Sequence, residues 1–183
     1  MKKIDLFREV LAYLAPIHGN VETELHFQTP FQLLVATVLS AQCTDKRVNM
    51  VTPALFESFP TPVEMSQATP EAIFEYIRSV SYPNAKAKHL VELAKMLVEK
   101  YQGEVPQTLE QLTQLPGVGR KTANVVLAVA FGQAALAVDT HIYRVAHRLG
   151  LVPASANTPY KVEMALRKFI PEEDVAHSHF WLL

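Results

Sequence analysis

The sequence of 183 residues contains a single cysteine, Cys43, so an internal disulfide is excluded. Long apolar runs are also missing: 49% of the residues are hydrophobic, yet no stretch approaches the length of a transmembrane helix. The first residues lead directly into an amphipathic helix, without the apolar core of a signal peptide. We therefore expect a cytoplasmic protein with no membrane partner.

Strand patterns are missing as well, because the apolar residues recur at helical spacing through most of the chain. Four of the five Thr-Pro pairs mark helix starts, since threonine caps a helix whose first residue is proline; these four begin at Thr29, Thr61, Thr69 and Thr158. Pro53 is expected to kink or shorten its helix. The pattern predicts an all-α fold, with helices at residues 2–15, 30–42, 44–58, 62–67, 70–79, 84–101, 108–115, 119–131, 139–149, 159–169 and 174–183.

The most informative local motif is the segment 115–119, LPGVG, which we call the glycine turn. Its glycines allow positive φ and a close approach of the backbone to another group. The helix predicted after it leaves its first amides unpaired and carries a partial positive charge, which suits a phosphate. Arg120 and Lys121 add full charges, so the motif predicts phosphate binding that is independent of sequence. The alternative is a tight connection before an exposed basic helix start.

The net charge of −1 for the whole chain argues mildly against a nucleic-acid partner. The distribution of charge favours one, because residues 111–169 hold seven basic and two acidic residues, a local net charge of +5. The basic residues are Arg120, Lys121, Arg144, Arg148, Lys161, Arg167 and Lys168, and the acidic ones are Asp139 and Glu163. We expect a locally positive surface that follows the glycine turn along the chain.

The glycine turn with Arg120-Lys121-Thr122, followed by VDTH at 138–141, resembles the helix-hairpin-helix DNA glycosylases, and within them the endonuclease III family. The segments TVLSAQCTD at 37–45 and GEVP at 103–106 resemble the same family. The resemblance spans nearly the whole chain and implies an all-α fold of two lobes with the active-site cleft between them. We expect one helical block at 22–132, ending in the helix-hairpin-helix, and a second lobe from residues 1–21 and 133–183.

The resemblance implies a bifunctional DNA glycosylase and AP lyase of base excision repair, with Lys121 as nucleophile and Asp139 as catalytic carboxylate. The lysine would expel a damaged base and form a Schiff base with the sugar, which permits β-elimination. In this chemistry the helix N-terminus would disfavour the cationic form of the nucleophile, and Asp139 would either accept its proton or stabilise positive charge on the sugar. Otherwise Lys121 binds phosphate and Asp139 is a helix N-cap, a use compatible with catalysis.

The residues expected to contact DNA are Gly117, Val118, Gly119 and Arg120 of the phosphate-binding hairpin, His141, and Gln42 and Tyr82, whose positions the resemblance places at the extruded base. Gln42 matches a glutamine that fills the gap left by an extruded base; the alternative is a helix-end glutamine bonded to nearby backbone. Tyr82 stands where the best-known relatives have a leucine wedge, and it either stacks in the gap or is a half-buried loop residue. His141 is expected to be structural or a DNA contact rather than an acid-base group. Asp45 is expected near a helix N-terminus, a position that in the family can approach the cleft.

Members of the endonuclease III family usually continue into four cysteines that hold a [4Fe-4S] cluster, and Cys43 alone cannot supply those ligands. We therefore expect no metal site in this chain and a cluster only in a protein that continues past Leu183. Truncation is the favoured explanation, and a naturally cluster-free glycosylase is the alternative.

The expected partner is double-stranded DNA with abasic sites or damaged bases, foremost oxidised pyrimidines, bound by a monomer that is nucleoid-associated if the source is prokaryotic. Two other function classes stay open. A non-catalytic helix-hairpin-helix DNA-binding module would leave the pairing of Lys121 and Asp139 without a purpose. A small helical interaction protein without a nucleic-acid role is opposed by the local charge of +5.

Overall fold

The computed structural model describes residues 2–18 and 23–182, and this part of the chain consists of helices and connections without a strand. The predicted all-α class is therefore confirmed. The helices are α1 (Lys3–His18), α2 (Pro30–Ser40), α3 (Asp45–Ser58), α4 (Pro62–Gln67), α5 (Pro70–Ile77), α6 (Pro83–Tyr101), α7 (Leu109–Leu112), α8 (Arg120–Phe131), α9 (Thr140–Arg148), α10 (Pro159–Leu166) and α11 (Glu172–Trp181). The expected lobe boundary at 21/22 and the helix end at Leu183 lie outside the described residues.

Each predicted helix has a counterpart, and the differences lie at the ends. The helix expected at 30–42 ends at Ser40, because Gln42 has a φ of 54°, a left-handed conformation that cannot continue a helix. The helix expected at 108–115 is shorter, since Leu115 N–H bonds the Leu112 carbonyl at 3.1 Å in a three-residue turn. Pro53 lies inside α3 without shortening it.

The four Thr-Pro helix starts are confirmed by capping hydrogen bonds. In each case the threonine hydroxyl oxygen accepts a backbone N–H two or three residues ahead, at 3.2 Å. At Thr61 a capping box adds Glu64, whose carboxylate accepts from the Thr61 N–H at 3.2 Å. Such caps contribute roughly 1 kcal/mol each to helix stability, so the capping threonines determine where the short helices begin.

The chain divides into two compact units, which we call the central unit (Glu24–Val126) and the terminal unit (Met1–Thr23 with Leu127–Leu183). In the central unit, α6 packs against α4 and α5, and α2 packs against α3 and α6. Fully buried side chains from these helices form its core: Leu33, Leu34, Ile73, Ile77, Leu90, Leu93 and Leu97. The predicted block at 22–132 and the cleft beside it stay a prediction.

The terminal unit has a core of its own. Helix α1 packs on α11, and α9 packs on α10. Phe7 of α1 is fully buried and meets Phe169 edge to face, with ring centroids 5.8 Å apart. The buried residues Leu136, Val138 and Ile142 belong to the same cluster, so this core holds the segment that carries Asp139. Among residues 2–18 and 23–182, no helix is long and apolar enough to cross a membrane.

Candidate active site

The glycine turn is closed by its own backbone and by packing on α6. The Val118 N–H donates to the Leu115 carbonyl at 3.1 Å, and both side chains are buried. Gly117 has a φ of 78°, and a Cβ built on it would lie 3.1 Å from Cβ of His89 on α6. Any other residue at 117 would be strained in its backbone and crowded by His89. Because the Val118 side chain is buried, only its backbone is available for the predicted DNA contact.

Gly119 differs from Gly117, because nothing in the fold requires it to be glycine. Its φ lies outside the positive range, and a Cβ built there would meet no atom within 4 Å. Its carbonyl accepts the Ala123 N–H at 2.9 Å, the first hydrogen bond of α8. The space beside Gly119 is open at the positive N-terminal end of that helix, where an approaching anion would be favoured.

Lys121 is exposed in the first turn of α8, after the half-buried Arg120. Its charge acts on Asp45, the first residue of α3, in the same unit. Burial raises the pKa of the Asp45 carboxyl above its ordinary value, Glu24 raises it further, and the Lys121 ammonium lowers it. A carboxyl group therefore faces the electrostatic field of the candidate nucleophile. The sequence predicts Asp45 near a helix N-terminus, at a position that in the family can approach the cleft, but it does not indicate the effect of Lys121 on its carboxyl.

Gln42 and Tyr82 occupy two turns that the structure ties together. We call residues 41–43 the Gln42 turn and residues 80–82 the Tyr82 turn. Both named residues have left-handed backbones, with φ of 54° and 53°, which is unfavourable for side chains other than glycine. The Ser81 hydroxyl donates to the Gln42 carbonyl across the two turns. Both side chains are exposed, Tyr82 to 65% of its surface, so the half-buried alternative for Tyr82 is wrong.

Asp139 lies in the terminal unit and is the N-cap of α9. Its Oδ1 accepts from the backbone N–H groups of His141 at 2.9 Å and Ile142 at 2.8 Å. The predicted capping role is thus present, and the carboxylate is half-buried with a fixed orientation. His141 itself is exposed in the first turn of the helix. Nδ1 of His179, on α11, contacts the Ala137 carbonyl at 2.7 Å, a support for this segment that the sequence pattern did not indicate.

The residues of this chain do not fit an iron-sulfur cluster. Cys43 is the single thiol and is half-buried, whereas cluster ligation takes four thiolates. Within residues 2–18 and 23–182, no group of three or more His, Cys, Asp or Glu side chains is arranged to hold a metal ion.

Comparison with known proteins identifies the family. Residues 35–172 match the model of the HhH-GPD superfamily base excision DNA repair proteins. Endonuclease III of Synechocystis sp. is 48% identical over 167 residues, which are 91% of this chain and 75% of that protein. Endonuclease III of Bacillus subtilis is 42% identical over 183 residues, all of this chain and 82% of that protein.

Solved structures agree with the sequence matches. A trapped endonuclease III–DNA covalent intermediate has a TM-score of 0.93 and 43% identity, and the match covers all of this chain and 85% of that one. A thermostable thymine-DNA glycosylase, at 22% identity and a TM-score of 0.80, shares the fold. The chain therefore belongs to the HhH-GPD superfamily of base excision DNA repair proteins, as a DNA glycosylase similar to endonuclease III.

Proposed function

We propose that the chain binds duplex DNA as a monomer and acts as a bifunctional DNA glycosylase and AP lyase. The observation that carries this proposal is Lys121, an exposed amine in the first turn of a helix that follows a glycine with open space beside it. Its supports are the similarity to an endonuclease III trapped covalently on DNA and the electrostatic effect of Lys121 on Asp45.

The proposed chemistry runs through an imine. The Lys121 amine attacks C1′ of the damaged nucleotide, the glycosidic bond breaks, and its electron pair and a proton leave with the base. Opening of the sugar ring gives a Schiff base between Lys121 and C1′. Loss of a C2′ proton then forms a C2′–C3′ double bond and breaks the C3′–O bond, so the downstream strand leaves with a 5′-phosphate. Water hydrolyses the imine and releases Lys121. Asp139 either takes the proton of the attacking amine or stabilises positive charge on the sugar.

DNA binding is proposed to begin at the phosphate backbone. The open side of Gly119 admits a phosphate to the N-terminus of α8, with Arg120 beside it and Gly117 and Val118 holding the turn. Exposed His141 adds a contact from the terminal unit. These contacts carry no base identity, so damaged sites would be found through the ease of base extrusion rather than by sequence.

Base extrusion leaves a gap that costs a few kcal/mol of lost stacking unless a protein group fills it. We assign Gln42 to face the orphaned base and Tyr82 to stack in the duplex as the wedge. The exposure of Tyr82 and its left-handed backbone support this use, because a strained, exposed aromatic side chain gains no stability from the fold. An aromatic wedge stacks on either neighbouring base, at roughly 1–3 kcal/mol per base.

Borohydride trapping tests the proposal. The protein is incubated with duplex DNA that carries an abasic site or thymine glycol, and borohydride is added to reduce any imine to a stable adduct. We expect a covalent adduct and strand cleavage, both lost in Lys121→Ala. Lys100→Ala removes an exposed lysine from the last turn of α6 and serves as the matched control. DNA binding by the unmodified protein without adduct or cleavage would instead indicate a non-catalytic binding module.

The proposed damage class is oxidised pyrimidines, and a substrate panel tests it separately. Matched duplexes carry thymine glycol, a methylated purine or an undamaged base at one position, and release of the base is measured under single-turnover conditions. We expect release of thymine glycol in preference to the other two. Preferred release of the methylated purine would overturn the damage class and leave the lysine chemistry standing.

A further inference from the structure

Lys86 is a buried cation in the first turn of α6. Its residue is 6% exposed, although lysine is almost never buried unless its charge is paired. The ammonium donates to two neutral carbonyl oxygens, that of Leu39 at 2.8 Å and that of Ala41 at 2.7 Å. Burial lowers the pKa of Lys86, opposed by the neighbouring Cys43. A buried ammonium whose hydrogen-bond partners are neutral carbonyls is unfavourable, so its presence needs a physical explanation.

Its two partners are carbonyls at the C-terminal end of α2, where a helix leaves its last carbonyls unpaired and partly negative. Helix α2 ends at Ser40, and the Cys43 N–H, which would reach Leu39 if the helix continued, bonds the Ser40 carbonyl instead at 3.0 Å. The Lys86 ammonium therefore takes the place of the amides that the helix loses when the chain reverses at Gln42.

The same residue also holds the Tyr82 turn. The Lys86 backbone N–H donates to the Tyr82 carbonyl at 3.1 Å, while its Nζ holds the Ala41 carbonyl next to Gln42. Ser81 adds the third tie, from its hydroxyl to the Gln42 carbonyl. The backbones that carry the two exposed side chains are thus tied together through the Lys86 ammonium, the Lys86 backbone N–H and the Ser81 hydroxyl.

We propose that Lys86, together with Ser81, is a positioning residue for base extrusion, which holds Gln42 and Tyr82 as one rigid unit that fills the gap in the duplex. This inference rests on the proposed function. A buried ion is often no more stabilising than apolar residues of similar volume. We therefore explain the buried Lys86 ammonium by the conformation of the Gln42 and Tyr82 turns that it stabilises. Without it, we expect both turns to relax from their left-handed backbones.

The test compares two substrates that share the Lys121 chemistry and differ in the gap. One is a duplex with an abasic site opposite adenine, and the other is the abasic strand alone, which has no orphaned base to face. Rates of borohydride trapping are measured under single-turnover conditions for the unmodified protein, Lys86→Met, Ser81→Ala and the control Lys100→Met. Melting temperatures of all four proteins are measured alongside.

We expect Lys86→Met to lower the duplex-to-single-strand ratio of trapping rates by roughly ten- to a hundredfold, as for a misplaced group at an active site. Ser81→Ala is expected to lower the ratio severalfold, and Lys100→Met to leave it unchanged. A purely structural role would reduce trapping on both substrates equally, and an unchanged ratio in Lys86→Met would overturn the inference. Should Lys86→Met fail to fold, the ratio for Ser81→Ala decides in the same way. If the unmodified protein traps neither substrate, the proposed function itself fails.

Discussion

The glycine turn of the central unit and the Asp139 segment of the terminal unit hold their candidate catalytic groups in different ways. In the glycine turn, Gly117 meets a demand of the fold, Gly119 leaves space for a ligand, and Lys121 stands exposed beyond them. In the Asp139 segment, one carboxylate is both helix cap and candidate catalytic group. Fold and chemistry can therefore be separated by ordinary substitutions in the glycine turn, whereas Asp139 requires a substitution that keeps the cap.

The largest expected effect separates the two uses of Asp139. Asparagine is as good an N-cap as aspartate, but it neither accepts a proton nor balances positive charge. Asp139→Asn should therefore lower the single-turnover rate of base release by about a thousandfold, near 4 kcal/mol in the barrier, with little change in the free energy of unfolding. Asp139→Ala should lose the same activity and also about 1 kcal/mol of stability. An unchanged rate of base release in Asp139→Asn would show that Asp139 caps α9 but has no catalytic role.

The next effect concerns the fold of the glycine turn. Gly117→Ala places a Cβ 3.1 Å from the His89 Cβ on a backbone with φ of 78°. We expect the free energy of unfolding, measured by denaturant titration, to fall by about 2–3 kcal/mol from strain and crowding together. Gly119→Ala is the matched control: it adds no crowding, and since alanine is a poorer N-cap than glycine, we expect a loss of less than about 1 kcal/mol. Equal losses in the two variants would contradict the distinction between these glycines.

The next smaller effect is expected in DNA binding by the Gly119→Ala variant. A methyl group at 119 fills the space that we assign to a phosphate, so Gly119→Ala should weaken binding to duplex DNA about tenfold, near 1.4 kcal/mol. The loss should be similar for different sequences, because phosphate contacts carry no base identity. Affinity measured by fluorescence anisotropy at one fixed salt concentration checks it. An unchanged affinity for duplex DNA would mean that no phosphate binds in the open space beside Gly119.

The smallest effect lies in the carboxyl group near Lys121. Because burial and Glu24 raise the pKa of Asp45, the folded protein holds this proton more tightly than the unfolded chain, whose pKa is near 3.8. Stability linked to Asp45 is thus present below pH 3.8 and is lost as the pH rises through the raised pKa. In Asp45→Asn the free energy of unfolding should decrease less steeply with rising pH. At pH 7 it should exceed that of the unmodified protein by no more than about 0.5 kcal/mol.

Denaturant titrations of Asp45→Asn and the unmodified protein at several pH values check this expectation. Lys121→Ala provides a second measurement, since the lysine lowers the pKa of Asp45 and its removal should raise that pKa further in an NMR titration. If the pKa of Asp45 is the same in Lys121→Ala as in the unmodified protein, Lys121 has no electrostatic effect on the Asp45 carboxyl.

Most of the helices could be predicted from the sequence, because caps and apolar spacing are local signals. Thr29, Thr61, Thr69 and Thr158 each start a helix as expected, since the hydroxyl and the following proline act within one turn. The end at Ser40 could not be predicted, because it depends on residues remote in sequence: the Ser81 hydroxyl bonds the Gln42 carbonyl, and the Lys86 ammonium bonds the Ala41 carbonyl. Helix ends that depend on distant partners leave no local pattern.

The candidate site divides in the same way. The residues Lys121 and Asp139 could be named from their motifs, and the capping role of Asp139 is confirmed. Nothing in the local sequence distinguished Gly117 from Gly119, since only the position of His89 and the backbone angles separate their uses. Lys86 and His179 look like ordinary helix residues in the sequence. The partners of Lys86 lie 47 and 45 residues away, and that of His179 lies 42 residues away.

The sequence by itself determined the helical class, the starts of the helices and the family, because each of these is encoded by residues close together in the chain or by motifs in a fixed order. The tertiary structure alone decided which glycine the fold requires, that Lys121 acts on the carboxyl of Asp45, and how a buried ammonium ties the Gln42 and Tyr82 turns. Those properties are burial, distance and charge between segments, and they come into existence only when the chain has packed.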